Sequence, residues 1–390
     1  MTAIPVQRRS EAKEVPFSVP SLSDKAGDAV QRILDSGWLT TGPACVEFES
    51  ALSAYLGQPH VVTVASCTQA LELSLRAMHL PAGSRVLTPS LTFCGAVGAI
   101  IHAGYRPVLL DVDEDTLTPN AQNVADAVAR TGKPAAMVVC DLAGYPVDHT
   151  VLADAAGLPY ERIVVDAAHG PGGAVGRAEE ATAPYATCLS FYATKNLPIG
   201  EGGAIATHNP DLAAWLRSAR LHGMSKDAWR RYLPGGSWRY DVAEVGHKAN
   251  LTDLQAAIGL AQLAALSGWQ ERRRELVDRY DAVLAVPPVA DVLRRPARHP
   301  GHAWHLYQVL VPNRDEVVAY LAERQVNTSV HFIPVHRLTG YRELLGPEEV
   351  AAVPVTDRVA DQVLSLPLYP DLPDSAVDRI TGLLAELLLP

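Results

Sequence analysis

The chain has 390 residues, long enough for one large core with a smaller satellite beside it. With 48% hydrophobic and 19% charged residues it falls in the ordinary globular class, and a formal net charge of −10 leaves no basic footprint for nucleic acid. The five cysteines, Cys45, Cys67, Cys94, Cys140 and Cys188, are odd in number and include no Cys-x-x-Cys pair, which argues against a disulfide framework and against zinc. Met1 to Lys13 lacks the apolar run of a signal peptide, and no stretch approaches the apolar length of a membrane span. The expectation is a cytoplasmic protein with a small-molecule partner, no nucleic acid and no membrane.

Through the first two thirds of the chain, short β-branched runs alternate with helix-like segments. The runs are Val61 to Val64, Arg85 to Thr88, Val108 to Val112, Ala136 to Cys140, Ile163 to Asp166 and Cys188 to Phe191. Apolar runs of this length separated by helical patterns predict a mostly parallel sheet covered on both faces, with ligands gathered at the carboxyl ends of the strands. From Thr252 the pattern is helical for about thirty residues, by the 3.6-residue spacing of its apolar positions. A proline-rich break near Pro287-Pro288 and Arg295 to Pro300 precedes a second strand and helix alternation, Trp304 to Pro312, Asp315 to Gln325 and Asn327 to Val335. An amphipathic helix near Ser375 to Leu388 closes the chain. The expected division is an N-terminal arm over residues 1–24, a large domain over 25–270 and a small α+β domain over 271–390.

Three constellations carry chemistry. Asp166 stands at the end of a buried-looking strand, followed by Ala167-Ala168-His169, and Lys195 stands in Ser190-Phe191-Tyr192-Ala193-Thr194-Lys195-Asn196, just before Gly200-Glu201-Gly202-Gly203. A lysine paired with such an aspartate is the arrangement expected around pyridoxal phosphate: the amine forms a Schiff base, and the carboxylate keeps the pyridine nitrogen protonated. Each also has a plain alternative, a solvent-exposed lysine and a helix-capping aspartate. His169, three residues on, reads either as a satisfied core histidine or as one placed to support the aspartate or touch the cofactor. Ser66-Cys67-Thr68 opens a helix after the first strand, where free amides and hydroxyls suit a phosphate or simply an N-cap; Ser190 is a further donor. Phe93 is either a core residue or, if its strand ends at the same sheet edge, the cover of one face of the ring. Lys248 and Asn250, in Gly246 to Asp253, belong either to a plain loop in which Asn250 or Thr252 caps the next helix or to a loop that reaches a phosphate across a subunit boundary.

Jointly these motifs resemble the sugar aminotransferases of the DegT/DnrJ/EryC1/StrS family. The likeness also takes in Gly37-Trp38-Leu39-Thr40-Thr41-Gly42-Pro43, His331-Phe332-Ile333-Pro334-Val335-His336 and Leu364 to Pro370. It implies a fold-type I pyridoxal-phosphate transferase with a seven-stranded, mostly parallel α/β sheet and a smaller α+β C-terminal domain. It further implies that Lys195 is the Schiff-base lysine and proton shuttle, Asp166 the pyridinium partner, Phe93 the stacking ring, and Ser190, Cys67 and Thr68 phosphate contacts. A homodimer is implied, since in the family the loop around Lys248 and Asn250 completes the neighbouring subunit's phosphate site. Two departures stand out: many members carry Gly-Tyr-Asn-x-Arg where this chain has Gly246 to Asn250, and many have histidine in place of Asp141.

Within the family, the Lys248 loop and the C-terminal motif are most similar to enzymes that aminate the 4-keto group of nucleotide-linked sugars. The expected reaction moves an amino group from L-glutamate, released as 2-oxoglutarate, to a dTDP- or UDP-linked keto sugar, with pyridoxamine phosphate as the intermediate form. Trp38, Thr40, Thr41, Tyr192, His331 and His336 are the candidates for the sugar side. A glutamine-dependent keto-cyclitol aminotransferase and a non-catalytic binding protein on the same scaffold are the rivals. Lys195 itself argues against the sugar dehydratase relatives, which carry histidine there. A dinucleotide-binding enzyme is disfavoured because no Gly-x-Gly-x-x-Gly follows the first strand.

Overall fold

The computed structural model describes residues 14–175, 179–224 and 239–389. The Met1 to Lys13 segment lies outside them. The predicted β-branched runs form β1 (His60–Val64), β2 (Arg85–Pro89), β3 (Arg106–Leu110), β4 (Ala136–Cys140), β5 (Ile163–Asp166) and β6 (Ala186–Ser190). A further strand, β7 (Gly203–Thr207), was not expected, and it completes a seven-stranded sheet in the order β1-β7-β6-β5-β4-β2-β3. β7 runs antiparallel to both neighbours, and every other pairing is parallel. Because β7 reverses direction between them, β1 and β6 point the same way. The ends of β1, β2, β4, β5 and β6 and the start of β7 therefore share one edge.

The strands are buried on both faces, as their uninterrupted apolar runs require. One face packs Phe48, Leu52 and Leu56 of helix Pro43–Leu56 together with Leu266, and the other packs Leu71 and Leu75 of helix Cys67–Arg76 with Ile100 and Leu216. A third core forms around β8 (Tyr307–Leu310) and β9 (Val363–Leu366), an antiparallel pair covered by helices Arg314–Glu323 and Asp374–Leu388. The predicted segment Asn327 to Val335 is not a strand; it meets β9 through an isolated Ser329–Ser365 bridge and the His331 side chain on Ser365. One 32-residue helix, Asp253–Leu284, serves both regions, giving Leu266 to the first core and Leu276, Val277, Tyr280 and Leu284 to the third. Thr252 and Gln255 close its start as a capping box, worth about 1 kcal/mol. At the other end of the chain, Val15 pairs with Val326, so the N-terminal arm lies on the C-terminal region. Among the described residues no helix is long and apolar enough to cross a membrane, no group of side chains is arranged to hold a metal, and the five cysteines are free thiols.

Candidate active site

The shared edge of the sheet opens into a cavity of about 480 Å³. Into it the chain brings Asp166 from the end of β5, Ser190 from the end of β6 and Lys195 from the turn beyond it. Cys67 and Thr68 come from the start of the helix after β1, Phe93 from the loop after β2, and His169, Tyr192 and His331 line it as well.

Asp166 is only 5% exposed. Burial raises its carboxyl, opposed by the Ala168 N–H at 3.1 Å, the Lys195 ammonium and the Cys67 thiol, which donates to Oδ1 at 3.6 Å. Lys195 is half-buried along its length; desolvation lowers its amine while Asp166 opposes that shift. A carboxylate and an amine with their charges pushed toward neutrality in one cavity suit a group that brings a ring nitrogen for the first and a carbonyl carbon for the second.

The phosphate end is a cradle that a larger residue would fill. Ser66 caps the helix, its Oγ accepting from Gln69 N–H at 3.2 Å, which is the plain role its sequence allowed. The backbone N–H groups of Cys67 and Thr68 make no hydrogen bond among the described residues and open on the cavity. A Cβ at Gly203 would sit 2.6 Å from the Ser66 carbonyl carbon, and one at Gly95 would sit 2.7 Å from Thr68 Oγ1. Close approach at those two positions therefore requires glycine. The residues fit pyridoxal phosphate: an anion cradle, a basic amine, a carboxylate, and Phe93, 57% exposed, at the open side of the slot.

The remaining expected residues are placed as follows. The Cys67 side chain is turned to Asp166, so only its backbone is left for a phosphate. Burial raises the thiol well above its ordinary range and keeps it a donor. His336 does not reach the cavity: the short turn Val335–Arg337 carries it inward, where it is buried between Ser90 Oγ at 2.7 Å and Asp357 at 3.0 Å. Trp38, Thr40, Thr41, Lys248 and Asn250 do not line the cavity of their own chain. They form a separate chain of contacts. Lys248 Nζ donates to Asn250 Oδ1 at 2.6 Å, Asn250 Nδ2 to Thr41 Oγ1 at 2.6 Å, and Thr41 Oγ1 to the Leu251 carbonyl at 2.5 Å. Trp38 Nε1 closes on the Thr41 carbonyl at 3.2 Å, and the Thr40 carbonyl accepts from Asp253 N–H at 3.1 Å.

Among the lining residues, sequence reasoning passed over His305 and Phe332. Phe332 stacks toward His169 at 6.0 Å and tilts toward Phe93 at 5.9 Å. It stood inside a quoted motif, whereas His305 sits two residues before a strand with nothing local to mark it.

A model of the DegT/DnrJ/EryC1/StrS aminotransferase family matches residues 20–385. The spore coat polysaccharide biosynthesis protein SpsC of Bacillus subtilis (strain 168) is 39% identical over 384 residues, covering 96% of this chain and 97% of the relative. Among solved structures, the PLP form of the putative sugar aminotransferase Spr1654 from Streptococcus pneumoniae superposes with a TM-score of 0.85 at 29% identity, over 97% of this chain and 100% of that one. DesV of S. venezuelae, solved in complex with a ketimine intermediate, gives a TM-score of 0.82 at 32% identity, over 96% of this chain and 100% of that one.

Proposed function

The chain belongs to the DegT/DnrJ/EryC1/StrS aminotransferase family, whose members here are PLP-dependent sugar aminotransferases, and from that premise we propose that it transfers the amino group of L-glutamate to the C4 keto carbon of a dTDP- or UDP-linked deoxy sugar. The observation that carries the reading is the meeting of Lys195 and Asp166 in one cavity that is also lined by Cys67 and Thr68 from the start of a helix.

When bound, pyridoxal phosphate supplies an electron sink for the carbon that loses a proton. The rest is work for the chain itself. Asp166 holds the ring nitrogen's proton, and its burial strengthens that pairing because little water competes for the carboxylate. The Cys67 and Thr68 amides, with the Thr68 and Ser190 hydroxyls, take the phosphate. Lys195 Nζ takes the proton from the amino donor's carbon and later returns one to the sugar carbon; such positioned transfers are worth about a hundred- to ten-thousandfold in rate. Its lowered pKa leaves more of the amine unprotonated and able to act as the base.

Tyr192, 47% exposed, and the half-buried His331 border the same cavity and are the proposed sugar contacts. His331 Nδ1 is fixed by Ser365 at 3.0 Å, and burial holds its pKa down at about 4, so it meets the sugar as a neutral ring. The Thr41, Lys248 and Asn250 cluster, outside its own chain's cavity, supports a homodimer in which that loop completes the partner's phosphate site.

The test is to load the protein with pyridoxal phosphate, supply L-glutamate, measure 2-oxoglutarate, and then offer dTDP- and UDP-linked 4-keto sugars. Amino sugar formed in step with 2-oxoglutarate is the expected result. Release of oxo acid from L-glutamine alone, with amination of a keto-cyclitol, would replace this substrate assignment.

A further inference from the structure

Ala143 is a non-glycine residue in the left-handed region, with φ 59° and ψ −3°. Its peptide groups meet two histidines at once. The Ala143 N–H donates to His169 Nδ1 at 3.1 Å, and its carbonyl accepts the backbone N–H of His305 at 3.0 Å. The two rings lie against each other in a tilted arrangement, with centroids 4.3 Å apart and planes 32° apart. Both rings line the cavity, and both are buried.

The hydrogen bonds fix where each ring carries its proton. His169 Nδ1 accepts from an amide, so its single ring proton sits on Nε2. For His305 the argument runs through Asn196, the residue after Lys195. Asn196 Nδ2 donates to the carbonyls of Pro171 and Ala303, both at 2.9 Å, which uses both amide hydrogens and fixes the orientation of the carboxamide. Its Oδ1 is thus the acceptor facing His305 Nδ1 at 3.2 Å, and His305 carries its proton there. Neither Nε2 has a hydrogen bond among the described residues. The tilted pair therefore offers the cavity a donor from His169 and an acceptor from His305. Burial holds both rings neutral, reinforced by the facing groups: Lys195 and His331 toward both, Arg273 toward His305 and His302 toward His169.

We propose that His305 is a positioning residue of the amino transfer: its Nδ1–H holds Asn196 and so ties the C-terminal region to the Lys195 loop, while its ring lies against that of His169, whose tautomer the Ala143 amide sets. The inference rests on the function proposed above only in taking this cavity as the place of amino transfer. His305 acts through two others, because it bonds Asn196, next to the lysine, and supports His169, three residues from Asp166.

Two variants separate its two attachments. His305→Phe keeps a ring against His169 and loses the donor to Asn196; His305→Gln keeps a donor and loses the ring. The first readout uses the cofactor-free protein labelled with ¹⁵N-histidine between pH 6 and 8. Wild type is expected to show His169 as the Nε2–H tautomer and His305 as the Nδ1–H tautomer, both neutral; the opposite tautomer at either ring overturns the proposal. The second uses the loaded protein, measuring the rate of 2-oxoglutarate formation at saturating L-glutamate, the half-saturating concentration, and the pH midpoint of the lysine-bound cofactor's absorbance. His305→Phe is expected to lower the saturating rate about ten- to a hundredfold and to move the pH midpoint, with half-saturation changed less than about threefold, and His305→Gln to recover most of the rate. Rates and midpoints within about twofold of wild type in both variants overturn the proposal. If His305→Phe fails to fold, the wild-type tautomers and His305→Gln still decide it. A wild type that ignores glutamate would instead overturn the proposed donor, with the tautomer readout unaffected.

Discussion

The Asp166 and Lys195 pair and the Lys248 and Asn250 pair were both expected around one phosphate-bearing cofactor, and the fold treats them in opposite ways, joining the second pair to Thr41. The first is withdrawn from water at the edge of the sheet, where burial moves both groups off their ordinary pKa values. The second lies outside that cavity, with Lys248 exposed and each polar group already matched to a neighbour. Burial tunes a group for proton transfer, and an ordered exposed cluster is ready for a partner that arrives from outside.

That contrast can be broken by four changes. Lys195→Ala should abolish turnover while leaving fold and assembly intact; circular dichroism and sedimentation check the second half of that statement, and appreciable activity would remove Lys195 from its role. Asp166→Asn should cost about a hundredfold or more, since an amide cannot hold the ring nitrogen's proton by charge; steady-state rates measure it. Lys248→Ala should weaken cofactor retention about tenfold, as expected for losing one charge-assisted contact, and mixing it with Lys195→Ala should restore activity. In a mixed dimer with shared sites, one site has both Lys195 and its partner's Lys248. No recovery on mixing would place Lys248 outside the partner's site.

The smallest effect concerns Asp141, buried beside the site. Burial pushes its carboxyl up to about 7, against the Val147 N–H that donates to it at 3.0 Å. A raised folded-state pKa means its stabilising contribution is complete below about pH 4 and is lost as pH rises toward 7. Asp141→Asn keeps an acceptor for Val147 and has no charge to bury. It should flatten the stability profile across that window and raise the melting temperature at pH 8; an unchanged slope in a thermal scan series would show that Asp141 is already ionised at little cost.

Six of the seven large-sheet strands could be read from the sequence because burial on both faces forces unbroken β-branched runs. β7 was missed because Gly203-Ala204-Ile205-Ala206 is short, alanine-rich and starts at the glycine that lets the Ser66 turn pass. Asp166 and Lys195 were legible because parallel strands deliver their chemistry to their carboxyl ends. His336 was misplaced because a pattern of histidines five apart does not say which of them the turn at Pro334 sends inward. His305 was invisible for a different reason: its partners, Asn196, Ala143 and His169, lie more than a hundred residues away in the chain.

The helix Asp253–Leu284 has a consequence for how the molecule comes apart. It is continuous through residue 270, where the sequence placed a boundary, and it lends side chains to the cores on either side. A rod shared by two cores transmits loss of order from one to the other, because melting either half strips apolar cover from the same continuous ladder of hydrogen bonds. Heating should therefore give one calorimetric peak, with calorimetric and van't Hoff enthalpies in agreement for each folded unit.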